Sequence, residues 1–135
     1  EPEMEEHLRE LISQKNYFGV EELLKGQNLS ESLSEAFAEL PQMFGSVEVL
    51  EKAKKLTSNP EALSAVKRLE EIYEILKIYG CEKYIAFDFG MLSKFRYYTG
   101  IIFQAYTYGT GEPLIKGGRY NELMKHFGKQ ASYIG

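Results

Sequence analysis

The feature that most constrains the fold is a change in the spacing of apolar residues at Gly80. Before this residue, apolar side chains recur every three or four positions, the spacing of one face of an α-helix. After it, the runs Tyr84–Phe89 and Ile101–Thr107 are rich in β-branched and aromatic residues, which is typical of strands. The pattern predicts an α+β chain, with an insertion-like helical segment over residues 1–80 and part of an antiparallel sheet over residues 81–135.

Capping residues predict the bounds of two helices. The clearer one is capped by Asn59, has Pro60 at its first helical position and ends at Gly80. Ser30 predicts a second helix over Glu31–Leu40, because its hydroxyl can accept a hydrogen bond from a backbone N–H of the first turn. The sequence therefore predicts an N-cap residue for each of these two helices.

The remaining helical limits depend on single residues. An amphipathic first helix contains Leu8, and Gly19 is expected to interrupt the pattern before a second short helix that stops at Gly26. Ser46 is expected to cap a further helix that runs through Leu56. The first 80 residues are thus predicted to be helical throughout.

The second part of the chain is predicted to form short strands and one short helix. A turn at Gly109–Glu112 leads into a strand over Pro113–Lys116, and a helix is expected over Asn121–Phe127. Tyr133-Ile134 resembles the first residues of another strand, and nothing follows to complete it. We therefore expect the chain to be an internal fragment of a larger protein.

Charge and composition narrow the functional classes. Residues 1–80 have 16 acidic and 9 basic side chains, whereas residues 81–135 have 4 acidic, 7 basic and 12 of the 18 Phe and Tyr. The overall charge of −4 argues against a dedicated nucleic-acid binder. No apolar run reaches the roughly 20 residues of a membrane span. The single cysteine, Cys81, cannot form an internal disulfide, which favours a reducing cytoplasm.

Familiar catalytic motifs are missing, and two local signatures remain. The sequence has no phosphate-binding glycine loop and no Cys/His cluster with metal-ligand spacing, so we expect neither cofactor nor metal. The first signature is Tyr97–Gly100, which precedes a predicted strand, and the second is Gly117–Tyr120, which lies between a strand and a helix. Paired glycines allow close approach to backbone N–H groups that suit a carboxylate, and tyrosine offers a flat wall with a hydroxyl.

These signatures support two interpretations when they are taken alone. They could form a small pocket for an aromatic amino acid, with the tyrosines as its walls. Alternatively, paired tyrosines at a strand start pack the sheet and Gly-Gly-Arg forms a turn, as in a plain interaction module.

The two signatures together resemble those of a known family. Tyr97-Tyr98-Thr99-Gly100-Ile101-Ile102-Phe103 and Gly117-Gly118-Arg119-Tyr120-Asn121-Glu122-Leu123 are similar to the histidine-specific signatures of class II histidyl-tRNA synthetases. They are at least as similar to those of a non-synthetase branch, the regulatory subunits of ATP phosphoribosyltransferase. The resemblance implies that Tyr98 and Tyr120 face bound histidine, that Gly117 and Gly118 line the site, and that Tyr97 and Arg119 belong to it.

Departures from the synthetase pattern favour the regulatory branch. A synthetase has Arg-Gly-Leu-Asp before the paired tyrosines, and this chain has Ser93-Lys94-Phe95-Arg96. Ser93 cannot stabilise the charge of a forming adenylate, a loss that typically costs about 10²–10³ in rate. In an extended segment, Lys94 and Arg96 would point away from the side on which Ser93 lies. Gln104 likewise stands where the family has a glutamate.

The resemblance therefore implies a non-catalytic regulatory subunit of ATP phosphoribosyltransferase in histidine biosynthesis. Its expected partners are the catalytic subunit, histidine as ligand, and a second copy of the full-length protein. A fragment of a true histidyl-tRNA synthetase, which would activate histidine and charge tRNA, is the first alternative. The plain interaction module described above is the second.

Overall fold

The computed structural model describes residues 2–93 and 98–135 and confirms the α+β class. Within these ranges the chain forms five α-helices and two small antiparallel sheets. It divides into two compact units, Glu1–Leu92 and Ser93–Gly135. The units divide after Leu92 rather than at Gly80, because a strand after Gly80 pairs within the first unit. The predictions made for residues 94–97 lie outside the described residues.

The helices of the first unit follow the predicted capping signals closely. Asn59 Oδ1 accepts hydrogen bonds from the N–H groups of Glu61 and Ala62, at 2.8 and 3.1 Å. Ser30 Oγ accepts one from the N–H of Leu33 at 3.4 Å. Both predicted caps are therefore confirmed. The helices are α1 Pro2–Ser13, α2 Tyr17–Leu24, α3 Glu31–Glu39, α4 Glu48–Leu56 and α5 Pro60–Ile78, and a short 3-10 helix, Leu40–Gln42, follows α3.

Two predicted helix limits were wrong. Gly19 lies inside α2, whose start is capped by Asn16, and the missing side chain lets the helix approach Leu11 of α1. A Cβ at Gly19 would lie 2.8 Å from a methyl carbon of Leu11. Ser46 does not cap α4, because its hydroxyl donates a hydrogen bond to the carboxylate of Glu48 instead. This bond lowers the pKa of Glu48 below its ordinary value.

A two-residue strand within the predicted helical segment was not expected. β1, Phe44–Gly45, pairs antiparallel with β2, Phe87–Asp88. The predicted strand Tyr84–Phe89 is therefore shorter than expected, since its first residue ends a 3-10 helix, Glu82–Tyr84. β1 has only two residues, so its partner can form only a two-residue ladder.

Asp88 connects the end of β2 to the turn between α1 and α2. Its side chain forms an ion pair with Lys15, and its Oδ1 also accepts the N–H of Gly90 at 2.9 Å. Lys15 has a left-handed backbone with a φ of 59°. Gly90 is buried at this point, where a Cβ would lie 2.5 Å from Lys15 Nζ. The absence of a side chain at Gly90 thus makes room for the ion pair.

The first unit contains two clusters of buried apolar side chains. One cluster joins the first three helices, and the other joins α4, α5 and the β1–β2 pair. Leu40 packs against both clusters, so the 3-10 helix connects them. The buried members are Ile12, Val20, Leu24 and Ala38 in the first cluster, and Met43, Val49, Leu50, Ala53, Val66 and Phe87 in the second.

The apolar stripe predicted along α5 is buried over only part of its length. Val66 is buried, and Leu69 and Tyr73 pack against the second cluster. By contrast, Ile78 and Tyr79 at the end of the helix are 83% and 75% exposed. The spacing of the apolar residues identified the helix correctly, but it could not show where the packing partners stop.

The second unit is a hairpin followed by turns. β3, Ile102–Ala105, pairs antiparallel with β4, Ile115–Gly118, and the connection contains Gly109 at a φ of 84°. The helix predicted over Asn121–Phe127 is a 3-10 helix over Leu123–Phe127. The strand predicted at Tyr133-Ile134 forms a single bridge from Ile134 to Arg119.

Neither described part of the chain contains a helix that is both long enough and apolar enough to cross a membrane.

Replacement of Asn59 by alanine tests the contribution of the α5 cap. Alanine has no side-chain oxygen to accept the hydrogen bonds from two N–H groups of the first turn. We therefore expect Asn59→Ala to lower the free energy of unfolding by about 0.5–2 kcal/mol. Urea titration followed by circular dichroism measures this change. The control is Asn28→Ala, an exposed asparagine outside the helices, which should change stability by less than about 0.5 kcal/mol. Equal effects of the two substitutions would contradict a capping role.

Candidate functional site

The two signatures found in the sequence are hydrogen-bonded to each other. The N–H of Thr99 donates to the carbonyl oxygen of Arg119 at 2.8 Å, and the N–H of Arg119 donates to that of Ile101 at 3.1 Å. The hydroxyl oxygen of Thr99 accepts a further bond from the N–H of Asn121 at 3.0 Å. These bonds bring the end of the first signature beside the end of the second.

The last residues of the chain pair with the second signature through further backbone hydrogen bonds. Gly118 and Gly135 exchange backbone hydrogen bonds of 2.8 and 3.2 Å, and the N–H of Tyr120 donates to the carbonyl of Tyr133 at 2.9 Å. Successive residues of an extended chain point to opposite faces, and residues paired across a ladder share a face. One face therefore contains Tyr120 and Tyr133, and the other contains Arg119.

Three tyrosine rings lie against one another on the first of these faces. The rings of Tyr98 and Tyr120 meet edge to face, with centroids 6.5 Å apart and planes at 68°. The rings of Tyr120 and Tyr133 are nearly parallel, with centroids 6.1 Å apart and planes at 15°. All three are half-buried. We refer to Tyr98, Tyr120 and Tyr133 as the tyrosine cluster.

The paired glycines of the second signature make room for aromatic rings. A Cβ at Gly118 would lie 2.6 Å from a ring carbon of Tyr98, and one at Gly117 would lie 2.5 Å from a ring carbon of Phe103. Neither position tolerates a side chain without displacing a ring. Both glycines are buried beneath these contacts, whereas the sequence had suggested that they admit a ligand to the backbone.

The guanidinium of Arg119 binds loop side chains. Its Nη2 donates to Ser132 Oγ at 2.8 Å and its Nε to Asn121 Oδ1 at 3.3 Å. Its aliphatic stem lies against Gly100, where a Cβ would come within 3.2 Å. By these contacts Arg119 connects the two signatures to the segment before Tyr133.

The structure brings together only some of the expected histidine-site residues. Tyr98, Gly118 and Tyr120 lie together on one face, whereas strand alternation turns Gly117 and Arg119 to the other. Tyr97 lies outside the described residues. Sequence reasoning left Tyr133 out of the site, although it had placed this residue in a strand. Only the register of that strand shows that Tyr133 shares a face with Tyr120.

The two departures from the synthetase pattern lie in the same unit as the cluster. Ser93 is half-buried and carries a hydroxyl at the position where the resemblance predicts a synthetase arginine. Gln104 is paired with Lys116 in the β3–β4 ladder, two residues before Gly118, and therefore shares the face of that glycine. Its Oε1 accepts a bond from the hydroxyl of Tyr106 at 2.5 Å. Ser93 and Gln104 thus supply neutral polar groups.

The second unit also has a surface depression of about 420 Å³ outside the tyrosine cluster. Asn121 and Ser132, the two residues that hold Arg119, both contribute to it. No group of three or more His, Cys, Asp or Glu side chains suited to a metal occurs in residues 2–93 or 98–135. The depression is lined by Asn121, Glu122, Lys125, Gln130, Ala131 and Ser132.

Comparison with known proteins identifies the family. The chain matches the family model described as histidyl-tRNA synthetase over residues 1–135 and therefore belongs to that family. It is similar to proteins from Acetivibrio thermocellus and Clostridium acetobutylicum that are both named ATP phosphoribosyltransferase regulatory subunit. The identities are 38% over 130 residues and 44% over 125 residues, covering 96% and 91% of this chain. The chain spans only 31% of the length of each of these relatives.

A solved structure extends the similarity to the fold. A crystal structure from Bacillus halodurans, described as an ATP phosphoribosyltransferase regulatory subunit/histidyl-tRNA synthetase, matches with a TM-score of 0.84 and 33% identity. The match covers 94% of this chain and 34% of that one. The expected resemblance to the regulatory branch of the family is confirmed, since proteins named as regulatory subunits are among those that the chain matches.

Replacement of Gly118 by alanine tests the close contact with Tyr98. The added Cβ would meet both the Tyr98 ring at 2.6 Å and the carbonyl oxygen of Ile101 at 3.0 Å. We therefore expect the substitution to lower the stability of the second unit by about 1–3 kcal/mol. Hydrogen exchange of the β3 and β4 amides measures this loss locally. Gly111→Ala is the matched control, because a Cβ there meets nothing within 4 Å and should leave exchange unchanged. Unchanged exchange in Gly118→Ala would contradict the contact.

Proposed function

We propose that this chain is part of a regulatory subunit of ATP phosphoribosyltransferase that binds histidine and does not activate it. The observation that carries the proposal is the edge-to-face contact of Tyr98 and Tyr120, one from each histidine signature, in a unit that has Ser93 in place of the synthetase arginine. The names of the relatives from two organisms support the same assignment.

The chemistry of the two tyrosines suits an imidazole-bearing amino acid. A phenol ring offers an apolar surface, and its hydroxyl can donate a hydrogen bond to, or accept one from, an imidazole nitrogen or an ammonium group. Half-burial of both rings provides partial exclusion of water without enclosing the site. Tyr98 and Tyr120 could therefore contact the imidazole of histidine through their ring faces and hydroxyls.

Activation of histidine has a different requirement. Formation of an adenylate develops negative charge on the α-phosphate, and a fixed positive group must stabilise that charge. Ser93 has none, and Gln104 replaces a family carboxylate by a neutral amide. At these two positions the chain keeps neutral polar groups and lacks the charges that the resemblance predicts for a synthetase.

The proposed partners are the catalytic subunit of ATP phosphoribosyltransferase and a second copy of the full-length protein. Histidine can regulate such an assembly only if it binds two states of the assembly with different affinity. The equilibrium between the two states then shifts by the difference in their binding free energies. We propose feedback inhibition of the catalytic subunit as the outcome, and a cytoplasmic location, consistent with the single cysteine Cys81.

Histidine binding by the full-length protein tests the proposal directly. Isothermal titration should show binding by the unaltered protein, and Tyr98→Ala and Tyr120→Ala should each weaken it about tenfold or more, since each removes a wall of the site. The control is Tyr108→Ala, because Tyr108 is fully exposed on the hairpin connection and should not affect affinity. An unaltered protein that does not bind histidine would refute the proposed function.

Histidine activation distinguishes the regulatory branch from a synthetase. The full-length protein should catalyse no histidine-dependent exchange of pyrophosphate into ATP, because Ser93 offers no positive charge to the forming adenylate. A histidyl-tRNA synthetase assayed in parallel provides the positive control. Exchange at the speed of that enzyme would identify a true synthetase instead.

A plain interaction module is the second candidate function, and one observation favours it. The Tyr98 ring fills the space above Gly118, and the Tyr120 hydroxyl lies 2.8 Å from the position of a Cβ on Gly135. These contacts are packing contacts of the sheet itself. In that case Tyr98→Ala and Tyr120→Ala would lower the melting temperature, and titration of the unaltered protein with histidine would give no heat of binding.

A further inference from the structure

Tyr133 lies opposite Tyr120 in the ladder that closes the second unit. The N–H of Tyr120 donates to the carbonyl oxygen of Tyr133 at 2.9 Å, and the neighbouring residues Arg119 and Ile134 form the bridge. Because directly opposed residues of an antiparallel pair share a face, both rings emerge on the same side. Their planes differ by only 15°, with centroids 6.1 Å apart.

Contacts on more than one side restrict the orientation of Tyr120. Tyr98 meets it edge to face at 68°, while Tyr133 stacks with it almost in parallel. The hydroxyl end of Tyr120 extends over Gly135, where a Cβ would lie only 2.8 Å away. Of the two ring contacts, the one with Tyr133 is nearly parallel, so a rotation of the Tyr120 ring would disrupt it.

The ring of Tyr133, rather than its hydroxyl, makes this contact. In the part of the chain that the structure describes, no side chain is hydrogen-bonded to the Tyr133 hydroxyl, whereas the hydroxyl of Tyr106 is bonded to Gln104. Tyr133 is nevertheless half-buried. Its influence on the site should therefore depend on an aromatic ring at this position and not on a phenol group.

We infer that Tyr133 is a positioning residue for histidine recognition, acting through the Tyr120 ring. This inference rests on the proposed function. A side chain that is already held in its binding orientation loses less conformational freedom when the ligand arrives, which strengthens binding. Removal of the Tyr133 ring should free Tyr120 to rotate and weaken histidine binding roughly three- to tenfold.

Isothermal titration of the full-length protein with histidine separates the ring from the hydroxyl. Tyr133→Phe keeps the stacked ring and should bind like the unaltered protein, whereas Tyr133→Ala should bind about three- to tenfold more weakly. If Tyr133→Ala does not fold, Tyr133→Leu retains apolar volume without an aromatic plane and should show the same loss. Each titration is carried out well below the melting temperature measured for that variant.

A double-mutant cycle with Tyr120 excludes a merely structural role. If Tyr133 acts through Tyr120, the double variant Tyr120→Ala/Tyr133→Ala should bind histidine no more weakly than Tyr120→Ala alone. A general loss of structure would instead add to the effect of Tyr120→Ala. Independent, additive losses would therefore overturn the positioning role.

Other outcomes also decide between the two proposals. Unchanged affinity in Tyr133→Ala, or equal losses in Tyr133→Phe and Tyr133→Ala, would overturn the positioning role while leaving the proposed function intact. Absence of binding by the unaltered protein would overturn the proposed function, and with it any role of Tyr133 in recognition.

Discussion

Aromatic rings of the second unit pack closely against bare glycine backbone, and the tyrosine arrangement requires this contact. Among the described residues, every buried apolar side chain belongs to the first unit, so the second has no comparable core. Its rings lie instead on glycines: Tyr98 on Gly118 and Phe103 on Gly117. A Cβ at either glycine would approach a ring carbon more closely than 3 Å, so the sheet accepts these rings only where the side chain is absent. The tyrosine cluster depends on this arrangement.

Local signals in the sequence predicted the helices, whereas long-range pairing was beyond them. Asn59 and Ser30 cap their helices through bonds to residues two or three positions away, so the sequence pattern contains the whole interaction. β1 is only two residues long and forms through pairing with Phe87 and Asp88, far along the chain. The same limitation explains why the packing of α5 stops before Tyr79, since a helical stripe shows which face is apolar but not what covers it.

The sequence named some residues of the candidate site but could not show how they are arranged. The resemblance identified Tyr98 and Tyr120, and their rings do meet. It could not show that Gly118 and Arg119 lie on opposite faces of the sheet. Neighbouring residues of an extended chain alternate between faces, and only the register shows which of them lies on the face of the tyrosines. For the same reason Tyr133 was left out, although its ring stacks with Tyr120.

The proposed recognition of histidine and the activation of histidine would depend on different residues in this unit. The bonds that join the two signatures involve Thr99, Ile101, Arg119 and Asn121, all of which follow Ser93 in the chain. Whether arginine or serine stands at position 93, the donors and acceptors of those bonds belong to other residues. If Ser93 replaces the group needed for adenylate formation, as we propose, that replacement removes no atom of the contact between the Tyr98 and Tyr120 rings. Under the proposed function, this separation would allow a synthetase-like unit to bind histidine without activating it.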